Sequence, residues 1–259
     1  MVASIGFPGS LWLVDSSHGS WMRLTGGEED TDPRFRDDGQ AVLYGGGLPG
    51  RRCLFRVSLD GGARVAVMWA PQPGAGEWPP GMFLDDWSRD GRAALYHPGL
   101  GGSLWSAPVT NDGEPRRVVE CTGCRTDQAR FSPDGRWIAF HSDETNRAEV
   151  YVVPFSPTGE RWQISTRGGV QPLWRRDGRE LFYLDRDGNL MSVEVHTERT
   201  FAAGTPRLLF RTALGFPDFS VEDYGVTADG QRFLFKMPVA AGVDYTLKLV
   251  LDWPALVKQ

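Results

Sequence analysis

Three features of this 259-residue chain have residue types and spacings that could support chemistry. Cys121 and Cys124 are separated by two residues, a spacing at which two thiolates can close a disulfide or supply half of a zinc site. A second Cys-x-x-Cys or a nearby histidine pair would complete such a site, and neither is present. Two ordinary loop thiols are therefore the leading reading, with a local disulfide or a metal as alternatives. Asp185, Asp187 and Asn189 alternate as at the start of a calcium loop, but the twelfth position, where a bidentate Glu belongs, is His196. A turn between strands is expected instead. The four histidines, His18, His97, His141 and His196, stand in a chain with no Gly-x-Ser-x-Gly elbow. A Ser-His-Asp site has little support, and each histidine is expected to be exposed or packed in a loop.

The composition narrows the field. Hydrophobic residues make up 41% and charged residues 24%, so a packed core is within reach. The formal charge of −5 offers no broad basic face, so nucleic acid is not an expected partner. No run approaches the ~20 apolar residues of a membrane span, and the start lacks the pattern of a signal peptide. Three cysteines, the third being Cys53, are too few for a disulfide framework.

What must position any site is a repeat. Asp-Gly recurs at Asp38-Gly39, Asp90-Gly91, Asp134-Gly135, Asp177-Gly178 and Asp229-Gly230. Three residues before each Asp stands an apolar side chain, Phe35, Trp87, Phe131, Trp174 or Val226. Five residues after each Gly stands an aromatic one, Tyr44, Tyr96, Phe140, Tyr183 or Phe235. Aromatic residues are only 12% of the chain, so an aromatic at this offset in every copy is not coincidence. Asp-Gly between two short apolar runs predicts a hairpin, because Gly accepts positive φ and Asp bonds its own backbone. Two more strands follow in most copies, for example VYVVPF and RWQIS. Repeat cores near 33–67, 85–119, 129–165, 172–210 and 223–253 thus predict an all-β propeller of four-stranded antiparallel blades, one domain over 1–259. Residues 11–25 resemble the third and fourth strands of a further blade. WMRLT could instead supply the strand missing from the last unit. The count is five or six blades, one of them incomplete, or the chain is the C-terminal part of a longer protein.

The stretches RFSPDGRWIAFHSDETNRAEVYVVPF, DYGVTADGQRFLF and LKLVLDWPALVK resemble TolB-like propeller repeats of bacterial proteins, notably the C-terminal half of certain serine/threonine kinases. The resemblance implies a non-enzymatic propeller, extracytoplasmic when fused behind a kinase and a membrane span, and otherwise cytoplasmic. The Gly-rich loop, the strand lysine, the catalytic loop and the DFG of a kinase are all missing, so kinase activity does not carry over.

No cofactor or metal is expected, and what remains is a binding surface. The loops from strand two to three and those running on to the next repeat emerge together, and 67–86, with Trp69, Trp78 and several prolines, is longer than a usual connection. On the same face Arg51, Arg52, Arg125, Asp127, Asp143, Glu144, Arg147 and Arg167 offer mixed charge, which suits a protein, a peptide or a small polar ligand. The expected module is a monomeric scaffold or sensor. A propeller hydrolase or lyase is the alternative, as is the tail of a membrane-anchored kinase.

Overall fold

The computed structural model describes residues 2–5, 9–15, 20–27, 30–48, 51–60, 62–69, 82–98, 102–109, 113–198, 200–215, 217, 222–238 and 245–250. Its unit of construction is the Asp-Gly turn. In all five copies the glycine has φ between 70° and 73°, a left-handed conformation that costs any residue with a Cβ about 1–2 kcal/mol. Each glycine N–H donates to the carbonyl three residues back, as Gly135 does to Ser132 at 2.8 Å. The Asp carboxylate accepts the N–H two residues on, from Gln40, Arg92, Arg136, Arg179 and Gln231. It also accepts a side chain two residues back, from Arg36, Ser88, Ser132, Arg175 and Thr227. Every turn is thus closed by its own side chains.

Six antiparallel sheets follow one another along the described residues. The first holds β1 (Val2–Ile5), β2 (Ser10–Asp15) and β3 (Ser20–Arg23). The second holds β4 (Thr31–Phe35), β5 (Ala41–Leu48), β6 (Arg51–Ser58) and β7 (Val65–Trp69). The third holds β8 (Met82–Trp87), β9 (Ala93–Pro98), β10 (Leu104–Pro108) and β11 (Arg116–Val119). The fourth holds β12 (Thr126–Phe131), β13 (Trp137–Ser142), β14 (Glu149–Pro154) and β15 (Trp162–Gln163). In the fifth, β16 (Val170–Trp174), β17 (Glu180–Leu184) and β18 (Leu190–His196) are followed by two short pieces on the outer side of β18, β19 (Ala202–Ala203) and β20 (Arg207–Phe210). The sixth holds β21 (Tyr224–Val226), β22 (Phe233–Pro238) and β23 (Tyr245–Val250). Among the described residues there is no helix, and therefore none long and apolar enough to cross a membrane.

The chain divides into two compact units, Met1–Arg125 with the first three sheets and Thr126–Gln259 with the last three. Within each, neighbouring sheets pack face to face. Leu43, Leu54 and Val67 of the second sheet meet Leu84, Tyr96 and Ala107 of the third. Trp137, Val150 and Ile164 of the fourth meet Trp174, Leu181 and Val193 of the fifth. The repeat aromatics lie in these layers as expected, Tyr44, Tyr96 and Phe140 being fully buried and Tyr183 and Phe235 nearly so. Each such ring contributes about 1.5–3 kcal/mol by leaving water. Burial, aided by the charge of Asp30, pushes the Tyr44 hydroxyl up to about 12.

Leu11 N–H bonds Thr25 Oγ1 at 3.0 Å, as Val150 N–H bonds Ser165 Oγ at 2.8 Å, so the link that follows β3 repeats the one that follows β15. Ser20–Arg23 pair with β2, from Trp12↔Arg23 to Asp15↔Ser20.

Candidate polar binding site

At the end of each first hairpin away from the Asp-Gly turn, the strands carry buried polar side chains where an alternating pattern calls for apolar ones. The cause is a bulge. The register of the first pair slips between Thr31 and Arg34, Leu84 and Asp86, Asp127 and Arg130, and Val170 and Leu173. Inside three of these slips sits a left-handed residue that is not glycine: Asp32 (φ 53°), Gln128 (φ 53°) and Gln171 (φ 56°). All three lie six positions before the turn Asp, and Asp223 holds that place in the sixth sheet. A bulge of this kind bends the strand and re-aims a side chain, and left-handed non-glycine backbone costs on the order of 1–3 kcal/mol.

In the first unit the polar end is acidic. Asp30 and Asp85 are almost fully buried, and Asp32 is half-buried. Gly27 and Gly46 make room for the Asp30 carboxylate, since a Cβ on either would stand 2.4 or 2.8 Å from one of its oxygens. The guanidinium of Arg64 lies 4.0 Å from Asp30. His97, on β9, places Nδ1 at 2.9 Å from Asp85 Oδ2, with both side chains buried and Phe83 stacked on the imidazole at 5.4 Å. Arg34 donates Nε to the Asp85 carbonyl at 2.6 Å and Nη1 to the Pro33 carbonyl at 3.1 Å, tying β4 to β8. Burial raises the Asp32 carboxyl above its ordinary range, against the lowering pull of Arg34, the neighbouring Thr31 hydroxyl and His97, and Asp85 adds a like charge.

In the second unit the polar end is mixed. The Gln171 amide donates Nε2 to Asp223 Oδ2 at 2.8 Å, and its Oε1 accepts the Asp223 N–H at 2.8 Å. Tyr224 donates its hydroxyl to the Gln171 carbonyl at 2.9 Å. Arg130 pairs with Glu222, reaching past the fifth sheet to the strand start of the sixth. Asp127 stands opposite His141 in the register of β12 and β13, both buried.

Several sequence-based expectations need correction here. His97 and His141 are buried in strands rather than exposed or packed in loops. Asp127 lies inside β12, buried, and not on a loop. Arg125 is half-buried just before it, while Asp143, Glu144, Arg147 and Arg167 are exposed. Glu144 pairs with Arg161 at 2.7 Å, and Arg147 bonds Glu149 at 2.6 Å and the Thr166 carbonyl at 3.0 Å, which brings Arg147 beside the loop holding Arg167. The side chains of Arg51, Arg52 and Trp69 and all of Trp78 lie outside the described residues. Cys121 and Cys124 are joined in a disulfide between β11 and β12, and Cys53 is buried and not in a disulfide. Asp185–Asn189 is a turn as expected, with Asp185 Oδ1 accepting the N–H groups of Asp187 and Asn189 at 2.9 Å.

The residues that carry this polar end were missed by motif search, yet a signal exists. Aligning the repeats on the turn Asp puts His97 and His141 at one position, and Asp32, Gln128, Gln171 and Asp223 at another.

No family model and no curated protein matches the sequence. Solved structures do match the fold. TolB from Acinetobacter baumannii is similar over 94% of this chain and 57% of its own, at 17% identity and a TM-score of 0.70. A TolB from Agrobacterium tumefaciens is similar over 82% and 77%, at 19% identity and 0.61. Oligogalacturonate lyase from Vibrio parahaemolyticus is similar over 93% and 71%, at 13% identity and 0.60. The fold is a TolB-like β-propeller, and the chain spans a little over half of the Acinetobacter protein.

Proposed function

We propose that the chain is a non-catalytic propeller module that captures a polypeptide or small polar ligand at the polar end of its sheets. One observation carries this reading. One repeat position holds a polar residue, Asp32, Gln128, Gln171 or Asp223, and the first three sit on strained backbone, a pattern that serves recognition better than folding. The likeness to TolB is of fold only, so function rests on the site. The Cys121–Cys124 disulfide suits an oxidising compartment and therefore an extracytoplasmic setting, as expected for the tail of a longer membrane-anchored chain.

A second reading, a hydrolase or lyase, is favoured by the Asp85–His97 pair, in which a carboxylate orients a buried imidazole as it would a general base. Turnover of a hydrolase and lyase panel that disappears in Asp85→Asn would favour it over the binding module.

The binding reading is tested by photo-crosslinking the full chain in its source cells. A benzoylphenylalanine at Asp143, on the loop after β13, should capture a defined partner, whereas one at Gln231, in an Asp-Gly turn, should not. Capture from Gln231 alone would overturn it.

A further inference from the structure

Two buried polar atoms of the first unit, adjacent in sequence, have no hydrogen-bond partner: Thr31 Oγ1 and Asp32 Oδ2. They sit on the bulge of β4, where Asp32 holds its left-handed conformation. An unsatisfied carboxylate oxygen on strained backbone lowers stability twice over, through desolvation and through conformation, and folding alone gives no reason to keep it. Asn would be isosteric and uncharged, and Gly would remove the strain. Asp32 is half-buried as a residue, while its Oδ2 is shielded from solvent.

We propose that Asp32 and Thr31 form a receptor for a primary ammonium group, as carried by a lysine side chain of a polypeptide or by a small amine. This rests on the binding function proposed above and names its ligand chemistry. The site has one carboxylate oxygen and one hydroxyl to offer. That matches the compact three-donor head of an ammonium, while a guanidinium needs both carboxylate oxygens for its fork. A divalent ion needs six to eight oxygen ligands in the calcium case, more than this bulge supplies. Arg34, whose charge lowers the Asp32 carboxyl, directs Nε and Nη1 to backbone carbonyls. The buried carboxylates of Asp30 and Asp85 and the overall charge of −5 favour a basic ligand.

The test is calorimetric titration of the full chain with butylammonium and with N-acetyl-lysine methylamide, using butanol and tetramethylammonium as controls. Both amines should bind and both controls should not. Asp32→Asn should weaken amine binding at least tenfold, and Thr31→Val several-fold. The ligand-free Asp32→Asn protein should melt at or above the wild-type temperature. Stronger binding of the lysine amide would identify a polypeptide source, and equal binding a small amine. Absence of binding by both amines, unchanged binding in Asp32→Asn, or a clear fall in its melting temperature would overturn the proposal. Capture from Asp143 without amine binding would sink this inference alone; loss of both would sink the binding function as well.

Discussion

The two ends of each first hairpin solve the same backbone problem in opposite ways. At the turn end every left-handed position is a glycine, Gly39, Gly91, Gly135, Gly178 and Gly230, and every turn carboxylate accepts a hydrogen bond within its own turn. At the other end the left-handed positions are Asp32, Gln128 and Gln171, all of them polar side chains with a Cβ. Where the sequence serves only the fold it yields to the backbone. Where it keeps a side chain against backbone preference, that side chain acts away from its own turn or bulge. The bonds of Gln171 to Asp223 show one such use, tying the fifth sheet to the sixth, while Asp32 has no equivalent tie at Oδ2.

The comparison can be broken or sharpened by a graded set of changes. The largest effect should come from the core that both ends share. Phe140→Ala, which empties a fully buried site, should lower stability by about 3–5 kcal/mol in urea titration without changing which end binds. Next is the Cys121–Cys124 link, whose short loop stabilises by at most about 2 kcal/mol. Reduction should expose two further thiols to a labelling reagent and lower the melting temperature modestly. Gly135→Ala should cost about 1–2 kcal/mol, because its φ of 71° disfavours any Cβ although nothing crowds the position.

The smallest and most diagnostic effect is on pH dependence, where the two ends have opposite signs. The side-chain bonds from Arg36 to Asp38, Ser88 to Asp90, Arg175 to Asp177 and Thr227 to Asp229 hold those turn carboxyls below their ordinary range. In Asp134 burial pulls upward, but the bonds from Ser132 and Arg136 prevail and the carboxyl is again lowered. A depressed carboxyl contributes stability that is present above its unfolded value and is lost as pH falls through its folded value. Asp32, raised by burial, does the reverse, destabilising at neutral pH and ceasing to do so as acid protonates it. The melting temperature should therefore fall on acidification below about pH 4, the ordinary carboxyl range. Asp32→Asn should start higher at neutral pH and lose the difference first. Identical curves for wild type and variant would remove the contrast between the ends.

The turn end was legible in the sequence because glycine and aspartate leave their mark at fixed spacing, and so were the aromatics that bury behind them. Two strands of the first sheet, β2 and β3, were equally readable at 11–25, since LWLVD repeats the pattern of LFRVS. The polar end was not. Its residues are Asp in some copies and Gln in others, and a bulge breaks the period of two by which a strand is read, so Gln128 and His141 fall out of pattern. The disulfide was only one of several open readings, because Cys-x-x-Cys alone does not distinguish a bond from two thiols.

The most direct test of the account compares one variant from each end, measuring melting temperature and capture of the partner cross-linked from Asp143. Asp134→Ala should lower the melting temperature while leaving capture intact well below the transition. Gln128→Gly should lose capture with the melting temperature unchanged or raised. A Gln128→Gly protein that melts as early as Asp134→Ala yet captures its partner normally would contradict the account.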